Sequence, residues 1–238
     1  MALTVITGGS RGLGYECAKA LKKLGHSILI VAKDEQRLKA VSEELGCEYR
    51  SVDLADLDAA RECFTEILAT FGTPEILILA HGVMSEKISK TLKTNNEEWR
   101  RVMSINLDSV FCAINTLAPS MVEARMGRVI VFSACLGRMS GPGNAGGLAP
   151  YRVSKAGVNA LVRNLAHETL HGARGFLIDA ICPNHSRTDM GGPSAPLSAA
   201  QGATTAIWLA TRNFDPTGTT DQEKSTGLLW EEMQVIPW

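Results

Sequence analysis

Short apolar runs rich in β-branched residues alternate along this chain with stretches whose apolar residues recur every three or four positions. Residues 3–7 (LTVIT) and 27–32 (SILIVA) have the composition of buried strands, and residues 12–24 between them place their apolar side chains on one face of a helix. Strands that alternate with helices in this way predict a parallel sheet, because parallel strands need crossover connections.

The same pattern continues to the C-terminus. The further predicted strands are 48–53, 75–80, 128–133, 176–182 and 227–230, and the further predicted helices are one carrying Leu38, Val41 and Leu45, then 57–71, 96–124, one beginning at 151, and 198–211. Asn95, with Glu98 three residues later, has the spacing of a helix N-cap. No linker, repeat or change of composition divides the chain. We therefore predict a single α/β domain over residues 1–238, with helices on both faces of a doubly wound parallel sheet.

Composition narrows the class of protein. The 238 residues include 24 basic and 25 acidic side chains, a formal net charge of -1, which gives no electrostatic footprint for nucleic acid or an anionic membrane. No apolar run reaches the roughly 18 residues of a transmembrane helix, and the N-terminus runs directly into a strand. The six cysteines follow no metal-ligand or disulfide spacing. We expect a cytoplasmic protein with reduced cysteines and no metal site.

A glycine-rich turn follows the first strand. In residues 7–14 (TGGSRGLG), Gly8, Gly12 and Gly14 permit a tight turn and allow backbone N–H groups to approach a pyrophosphate at the start of the next helix. A glycine motif alone is also typical of a flexible strand-to-helix turn. Its position between a strand and a helix is the context that a dinucleotide site requires, and it indicates a Rossmann-type fold.

Residues 151–155 (YRVSK) place Tyr151 and Lys155 four positions apart on a predicted helix. Side chains at this spacing are neighbours, so a phenol and an ammonium can reach the same point. An exposed polar pair is the other interpretation. Together with the glycine turn, however, YRVSK resembles the short-chain dehydrogenase/reductase family, and the resemblance covers nearly the whole chain.

The resemblance implies hydride transfer with a nicotinamide cofactor, held by about residues 1–130, while about residues 131–238 supply the catalytic groups and the substrate loops. Tyr151 is expected to donate a proton to a carbonyl oxygen, with its pKa lowered by the Lys155 ammonium and by an oxidised nicotinamide. Lys155 is also expected to hold the nicotinamide ribose. Asn106 corresponds to a family asparagine that anchors a water between the lysine and solvent.

Two cations bear on the choice of nucleotide. Arg11 lies in the glycine turn, and Lys33 follows the second strand at a position where an acidic residue would bind the ribose of NAD. They favour NADP(H), although Asp34 follows directly. Asp53 matches the residue that contacts the adenine, or is a turn aspartate. The remaining expected cofactor contacts, by resemblance, are Gly8, Ser10, Gly12, Leu13, Gly14, Ala80, Gly82, Tyr151, Lys155, Pro183 and Thr188.

The chain departs from the family pattern in three places. Ala134 occupies the position of the usual catalytic serine, and Ser133 is one residue earlier. A bulge or the start of the loop would have to turn Ser133 toward the site, where we expect it to serve. The fourth strand ends in Leu-Ala-His-Gly instead of Asn-Asn-Ala-Gly, which introduces His81. Asn184 replaces a glycine and tolerates a left-handed backbone better than most residues.

Two functions follow from the resemblance and these departures. The first is an NADPH-dependent reductase of a small-molecule ketone or aldehyde, or the reverse alcohol oxidation. The second is a family member whose redox activity is lost or diverted, which catalyses a non-redox step or acts as a dinucleotide-responsive binding protein. The family also implies a homodimer or homotetramer assembled through helices 96–124 and 151–171.

Overall fold

The computed structural model describes residues 2–86, 89–141 and 146–238. The strands are β1 (Leu3–Thr7), β2 (Ser27–Ala32), β3 (Glu48–Ser51), β4 (Ile76–Leu79), β5 (Gly127–Phe132), β6 (Phe176–Ile181), β7 (Leu229–Glu231) and β8 (Gln234–Ile236). The α-helices are α1 (Gly12–Lys23), α2 (Glu35–Leu45), α3 (Leu57–Phe71), α4 (Asn96–Met103), α5 (Ser109–Glu123), α6 (Ala149–Glu168), α7 (Ala199–Thr211) and α8 (Asp221–Lys224). A π-helical segment, Ser104–Asp108, joins α4 to α5, and a 3₁₀ turn, Cys135–Gly137, follows β5.

The described strands form one sheet in the order β3-β2-β1-β4-β5-β6-β7-β8. Neighbouring strands are parallel up to β7, and β8 pairs antiparallel with β7. The predicted α/β fold with a doubly wound parallel sheet is confirmed. The order of strands reverses between β1 and β4, and ligands of such sheets bind beyond the strand ends at this switch point.

Successive residues of the central strands pack on opposite faces of the sheet, because side chains alternate along a strand. Val5 belongs to the core that α3, α5 and α6 cover, whereas its neighbour Ile6 belongs to the core beneath α1, α2 and α7. Both residues are fully buried. With both faces covered, β1 presents only its end to solvent, and this is the end from which the glycine turn leaves.

The long predicted helix over 96–124 is broken into two. Its N-terminus is as expected, since the Asn95 side chain accepts a hydrogen bond from the Glu98 N–H at 2.8 Å. At Ser104 the helix widens to the π form and returns to α at Ser109. Single π turns inside helices are frequent at functional sites. No helix within the described residues is both long and apolar enough to traverse a bilayer.

Candidate active site

The glycine turn packs directly against the end of β4. Gly8 has a φ of 71°, and a Cβ there would lie 2.8 Å from the backbone nitrogen of His81. A Cβ on Gly14 would collide with the carbonyl oxygen of Gly8. Arg11, the N-cap residue of α1, makes no side-chain cap, and the first turn of α1 has no acidic residue. This close-packed turn at an uncapped helix start fits the pyrophosphate of a dinucleotide.

Three basic and two acidic side chains form ion pairs beside this turn. Lys33 Nζ donates to Asp53 Oδ2 at 2.6 Å, so two residues predicted from the sequence are brought together, and this bond lowers the pKa of Asp53. The Asp189 carboxylate pairs with Arg11 and lies 3.6 Å from Arg37 Nη1. All five side chains are substantially exposed. Exposed pairs contribute little, about 0–1 kcal/mol, so a bound phosphate can replace the carboxylates.

Arg37 was not predicted as a site residue. It lies in the first turn of α2, where its backbone N–H donates to the Asp34 N-cap and its guanidinium pairs with Asp34 at 3.2 Å. Its meeting with Arg11 and Asp189 depends on segments more than 150 residues apart in sequence. In the sequence, the only indication of such a role is that Arg37 is a second cation four residues after Lys33.

Tyr151 and Lys155 lie on the first two turns of α6, both nearly inaccessible to solvent. Lys155 Nζ lies 5.9 Å from the centroid of the Tyr151 ring and donates to the Phe132 carbonyl at 2.6 Å. Burial lowers the pKa of Lys155 to about 8. A Cβ on Gly82 would lie 3.5 Å from this Nζ. The pair therefore adjoins the end of β4, as the glycine turn does.

The pKa of Tyr151 moves in the opposite direction to the one expected from its lysine. Burial raises it above the ordinary value, and the neighbouring thiols of Cys182 and Cys135 raise it further. In the protein alone, desolvation of the phenolate outweighs the cation beside it. Tyr151 is therefore held as a neutral phenol, the form that donates a proton.

Asn106 is fully buried in the π-helical segment. Its Oδ1 accepts from the Val83 N–H at 2.7 Å, and its Nδ2 donates to the Val83 carbonyl at 2.9 Å and to Ser154 Oγ at 3.1 Å. Ser154 in turn donates to the Tyr151 carbonyl at 2.8 Å. The asparagine thus ties the loop after β4 to the first turn of α6. Its expected role of anchoring a water stays a prediction.

Ser85 fixes the start of α6, and sequence reasoning did not identify it. Its Oγ accepts from the Tyr151 N–H at 2.8 Å, an otherwise free donor of the first helical turn. The local N-cap position, Leu148, has a φ of 52° and no capping side chain. Because the cap comes from 66 residues earlier, the residues around Tyr151 carry no signal for it.

The two residues after β5 point in different directions. Ser133 continues the pairing with β6, and its Oγ donates to Asn159 Oδ1 at 2.5 Å. Ala134 instead packs with Val102 and Tyr151. The expected bulge that would turn Ser133 toward Tyr151 is not found, because Ser133 keeps the alternation of the strand. The geometry brings Ala134 to Tyr151, and it gives the Ser133 hydroxyl a partner on α6.

The loop after β6 closes over the glycine turn. A Cβ on Gly12 would lie 3.2 Å from Thr188 Cγ2, so Thr188 is near the turn, and its contact with the cofactor stays a prediction. Asn184 has a φ of 55°, the left-handed conformation for which asparagine suits the position. Leu13 packs toward Gly202 of α7, so only its backbone faces the turn. Pro183 accepts at its carbonyl from Ser186 Oγ at 2.9 Å.

His81 links the glycine turn to the π-helical segment. Its Nδ1 lies 2.6 Å from Thr7 Oγ1 and its Nε2 lies 2.7 Å from Ser109 Oγ. The Ser109 hydroxyl donates to the Ile105 carbonyl, so its oxygen accepts from Nε2–H and leaves Nδ1 to accept from Thr7. Burial, helped by the Lys155 charge, lowers the pKa of His81 to about 3. The imidazole is neutral and fixed in one tautomer.

This buried imidazole makes the fold acid-sensitive. In the unfolded chain His81 has a pKa near 6.5 and takes up a proton below it, whereas in the folded chain it does not until about 3. Its contribution to stability is complete above about pH 6.5 and declines as the pH falls toward 3. At pH 5 the loss is about 2 kcal/mol. Between pH 7 and pH 5, the free energy of unfolding of His81→Gln should fall by about 2 kcal/mol less than that of the unmodified protein. Urea unfolding at the two pH values measures the difference.

The matched control for this measurement is His167→Gln, an exposed histidine on α6. Asp179, whose pKa burial raises to about 6, titrates alike in both variants and cancels from the comparison. If the stability of His81→Gln depended on pH as that of the unmodified protein does, His81 would take up its proton in the folded protein as readily as in the unfolded chain.

Comparisons with known proteins agree with this geometry. The short chain dehydrogenase family model matches residues 2–196. The 3-oxoacyl-[acyl-carrier-protein] reductase FabG of Escherichia coli (strain K12) is 31% identical over 190 residues, 79% of this chain and 75% of that protein. FabG of Rickettsia prowazekii (strain Madrid E) is 28% identical over 187 residues, covering 79% and 73% of the two chains.

A solved structure gives the same result. The crystal structure of a metagenomic short-chain oxidoreductase in complex with NADP superposes with a TM-score of 0.76 at 27% identity, covering 89% of this chain and 91% of that one. Sequence, fold and the arrangement of Tyr151, Lys155 and the glycine turn lead to one assignment. The chain belongs to the short chain dehydrogenase family and is an oxidoreductase of that family.

Proposed function

We propose that the protein is an NADPH-dependent reductase of a small-molecule ketone or aldehyde, with Tyr151 as the proton donor. The observation that carries the proposal is the meeting of a buried, neutral Tyr151, the adjacent Lys155 and the glycine turn at the end of β4. The FabG relatives, named as 3-oxoacyl reductases, support a ketone as the substrate.

The glycine turn of Gly8, Gly12 and Gly14 would hold the pyrophosphate, and Arg11, Lys33 and Arg37 would hold a 2′-phosphate. When bound, NADPH supplies the hydride. Around the carbonyl, Tyr151 holds its proton because burial disfavours the phenolate. Lys155, whose pKa is about 8, can replace that proton near neutral pH, and Asn106 and Ser85 orient the helix that carries both groups.

The proposal is tested by incubating the purified protein with NADPH and a panel of carbonyl compounds that includes 3-oxoacyl thioesters, aliphatic ketones and aldehydes. Oxidation of NADPH that depends on the carbonyl compound supports the proposal. The absence of such oxidation across the panel, with NADPH binding intact, contradicts it.

The preference for NADPH rests on the cation cluster. We expect Arg11→Ala and Lys33→Ala each to raise the KM for NADPH about tenfold or more, since charge-assisted hydrogen bonds contribute about 1.5–3 kcal/mol. The KM for NADH should change little, because NADH has no 2′-phosphate for these cations to meet. Steady-state kinetics with both nucleotides measures the ratio of the KM for NADPH to the KM for NADH in each variant.

The matched control for this series is Lys39→Ala, which removes an exposed cation from α2 for which no hydrogen bond or ion pair is found within the described residues. Equal losses for NADPH and NADH in Arg11→Ala and Lys33→Ala would show that these side chains bind some other part of the nucleotide. The preference for NADPH would then be wrong.

Ala134 favours a second candidate, a protein whose redox activity is diverted to a non-redox step or to dinucleotide-responsive binding. A methyl group beside Tyr151 cannot donate to a developing oxyanion, and loss of one such donor costs about 10²–10³-fold in rate. If the protein is a reductase as it stands, we expect Ala134→Ser to change kcat for carbonyl reduction by less than about tenfold. A gain of a hundredfold or more would favour the second candidate.

The same proposal includes a homo-oligomer in the cytoplasm. Phe111 on α5 is half exposed and lies beside Leu107 and Leu161, which gives these helices an apolar outer surface. Light scattering on the purified protein measures the assembly, and a monomer would contradict it.

A further inference from the structure

Two cysteines meet where β5 and β6 end. Phe132 pairs with Ile181 in the parallel register, Cys182 follows directly, and Cys135 opens the 3₁₀ turn two residues after Ser133. The Cys135 N–H donates to Cys182 Sγ at 3.1 Å. This contact places the Cys182 sulfur against the backbone of Cys135, and a disulfide between them requires their Cα atoms to lie about 4.4–6.8 Å apart. Both cysteines are reduced in this structure.

The two thiols also differ in reactivity. The adjacent Cys182 thiol lowers the pKa of Cys135; burial and Glu231 oppose this lowering, and Arg138 and Arg152 reinforce it. The pKa of Cys182 is raised by the adjacent Cys135 and by burial. Cys135 is partly exposed, whereas Cys182 is buried. An accessible thiolate beside a protonated partner is the arrangement of an attacking and a resolving cysteine.

Three other cysteines lack these features. Burial raises the pKa of Cys63 to about 11 and of Cys17 to about 12, and it also raises that of Cys47. Cys47 and Cys63 are exposed to a similar degree as Cys135. They therefore provide internal references for reactivity that accessibility alone would cause.

We propose that Cys135 and Cys182 form a redox-sensitive dithiol beside Tyr151, which hydrogen peroxide oxidises to a disulfide. The Cys135 thiolate attacks one peroxide oxygen; the O–O bond breaks, Cys135 becomes a sulfenic acid, and the departing hydroxide takes up a proton to give water. Cys182 sulfur then attacks the sulfenic sulfur, the S–S bond forms, the S–O bond breaks, and hydroxide leaves with the Cys182 proton as a second water. The two thiols lose two electrons, and the peroxide gains them.

The disulfide would act on the site that the proposed function uses, and this consequence rests on that function. Leu136, next to Cys135, packs against Tyr151, and Gly137 accepts at its carbonyl from Asn159 Nδ2. A Cβ on Gly137 would lie only 2.7 Å from the Lys155 backbone, so the turn has no free space beside α6. Drawing Cys135 onto Cys182 must therefore move the wall of the site beside Tyr151 and Lys155.

The experiment treats the purified protein with increasing hydrogen peroxide and follows two readouts. Peptide mapping by mass spectrometry is expected to find the Cys135–Cys182 cross-link at peroxide concentrations that leave Cys47 and Cys63 unmodified. NADPH-dependent reduction is expected to fall several-fold as the cross-link forms and to return with dithiothreitol. The mapping does not depend on catalysis, so it tests the dithiol even if the proposed function is wrong.

Variants complete the test. Cys182→Ala and Cys182→Ser should both prevent the cross-link. In Cys182→Ser, which keeps a hydroxyl beside Cys135, Cys135 should proceed to sulfinic acid, whereas Cys63→Ser should cross-link like the unmodified protein. Circular dichroism checks that each variant is folded. Oxidation of Cys47 or Cys63 before Cys135, or an unchanged Cys135 in Cys182→Ser, would overturn the dithiol. A complete cross-link with unchanged turnover would overturn its effect on the site.

Discussion

Replacing Tyr151 with phenylalanine is expected to lower kcat/KM for carbonyl reduction by about 10²–10⁴-fold, the range typical of a lost general acid. The substitution removes one oxygen and keeps the ring that packs with Val102, Ala134 and Leu136. The loss should fall on kcat, because a proton is needed only as the carbonyl is reduced. Steady-state kinetics with the best substrate of the panel measures it.

Two controls separate chemistry from structure. Tyr49→Phe, on β3, removes a hydroxyl of the same type outside the site and should leave kcat/KM unchanged. Titration of NADPH against Tyr151→Phe, followed by nucleotide fluorescence, should give a Kd close to that of the unmodified protein. If Tyr151→Phe turned over at a rate within a few-fold of the unmodified protein, the proton would have another source, and the proposed role of Tyr151 would be wrong.

In the protein alone, the environment of Tyr151 keeps the phenol in the form that the proposed reduction uses. Burial and the nearby thiols raise the pKa of the phenol, which keeps the proton in place for reduction. Alcohol oxidation needs the phenolate, which the protein alone disfavours. The sequence predicted a lowered pKa from the Lys155 ammonium together with an oxidised nicotinamide. In the protein alone burial outweighs the ammonium, and burial also lowers the pKa of Lys155.

The fold was predictable where the pattern along one segment decides the structure. The runs at 3–7 and 27–32 became β1 and β2 with the predicted bounds, because a strand covered on both faces must be apolar throughout. The break in helix 96–124 was not predicted. Residues Ser104–Asp108 adopt the π form and contact His81 through Ser109, and His81 comes from the loop that follows β4.

The candidate site divides in the same way. The proximity of Tyr151 to Lys155 follows from helical spacing alone. Their position near the glycine turn follows from the strand order, which places β1 beside β4. Ser85 and Arg37 were missed because each acts on a segment far away in sequence. The orientation of Ala134 toward Tyr151 was predictable, because side chains alternate along a strand. The same alternation turns Ser133 away from Tyr151 unless a bulge intervenes.

A buried ion pair holds the C-terminal strands to the sheet. Asp179 on β6 and Arg212 after α7 are almost inaccessible and lie 3.3 Å apart. Asp179 Oδ1 also accepts from Trp230 Nε1 at 2.9 Å and from the Leu228 N–H at 3.1 Å, and Arg212 stacks near the Trp208 and Trp230 rings. One carboxylate thus fixes β7 against β6 and neutralises a buried cation.

We expect Asp179→Ala to lower the free energy of unfolding by about 3–5 kcal/mol, because it leaves the Arg212 charge and the Trp230 N–H buried without their partner. Urea unfolding at pH 7 measures the loss. Glu66→Ala is the matched control: it breaks the exposed ion pair with Arg50, and it should cost less than about 1 kcal/mol. The double variant Asp179→Ala/Arg212→Ala should lose less than the sum of the two single losses, since removing both charges leaves neither one unpaired. Additive losses would show that Asp179 acts through its bonds to β7 and not through Arg212.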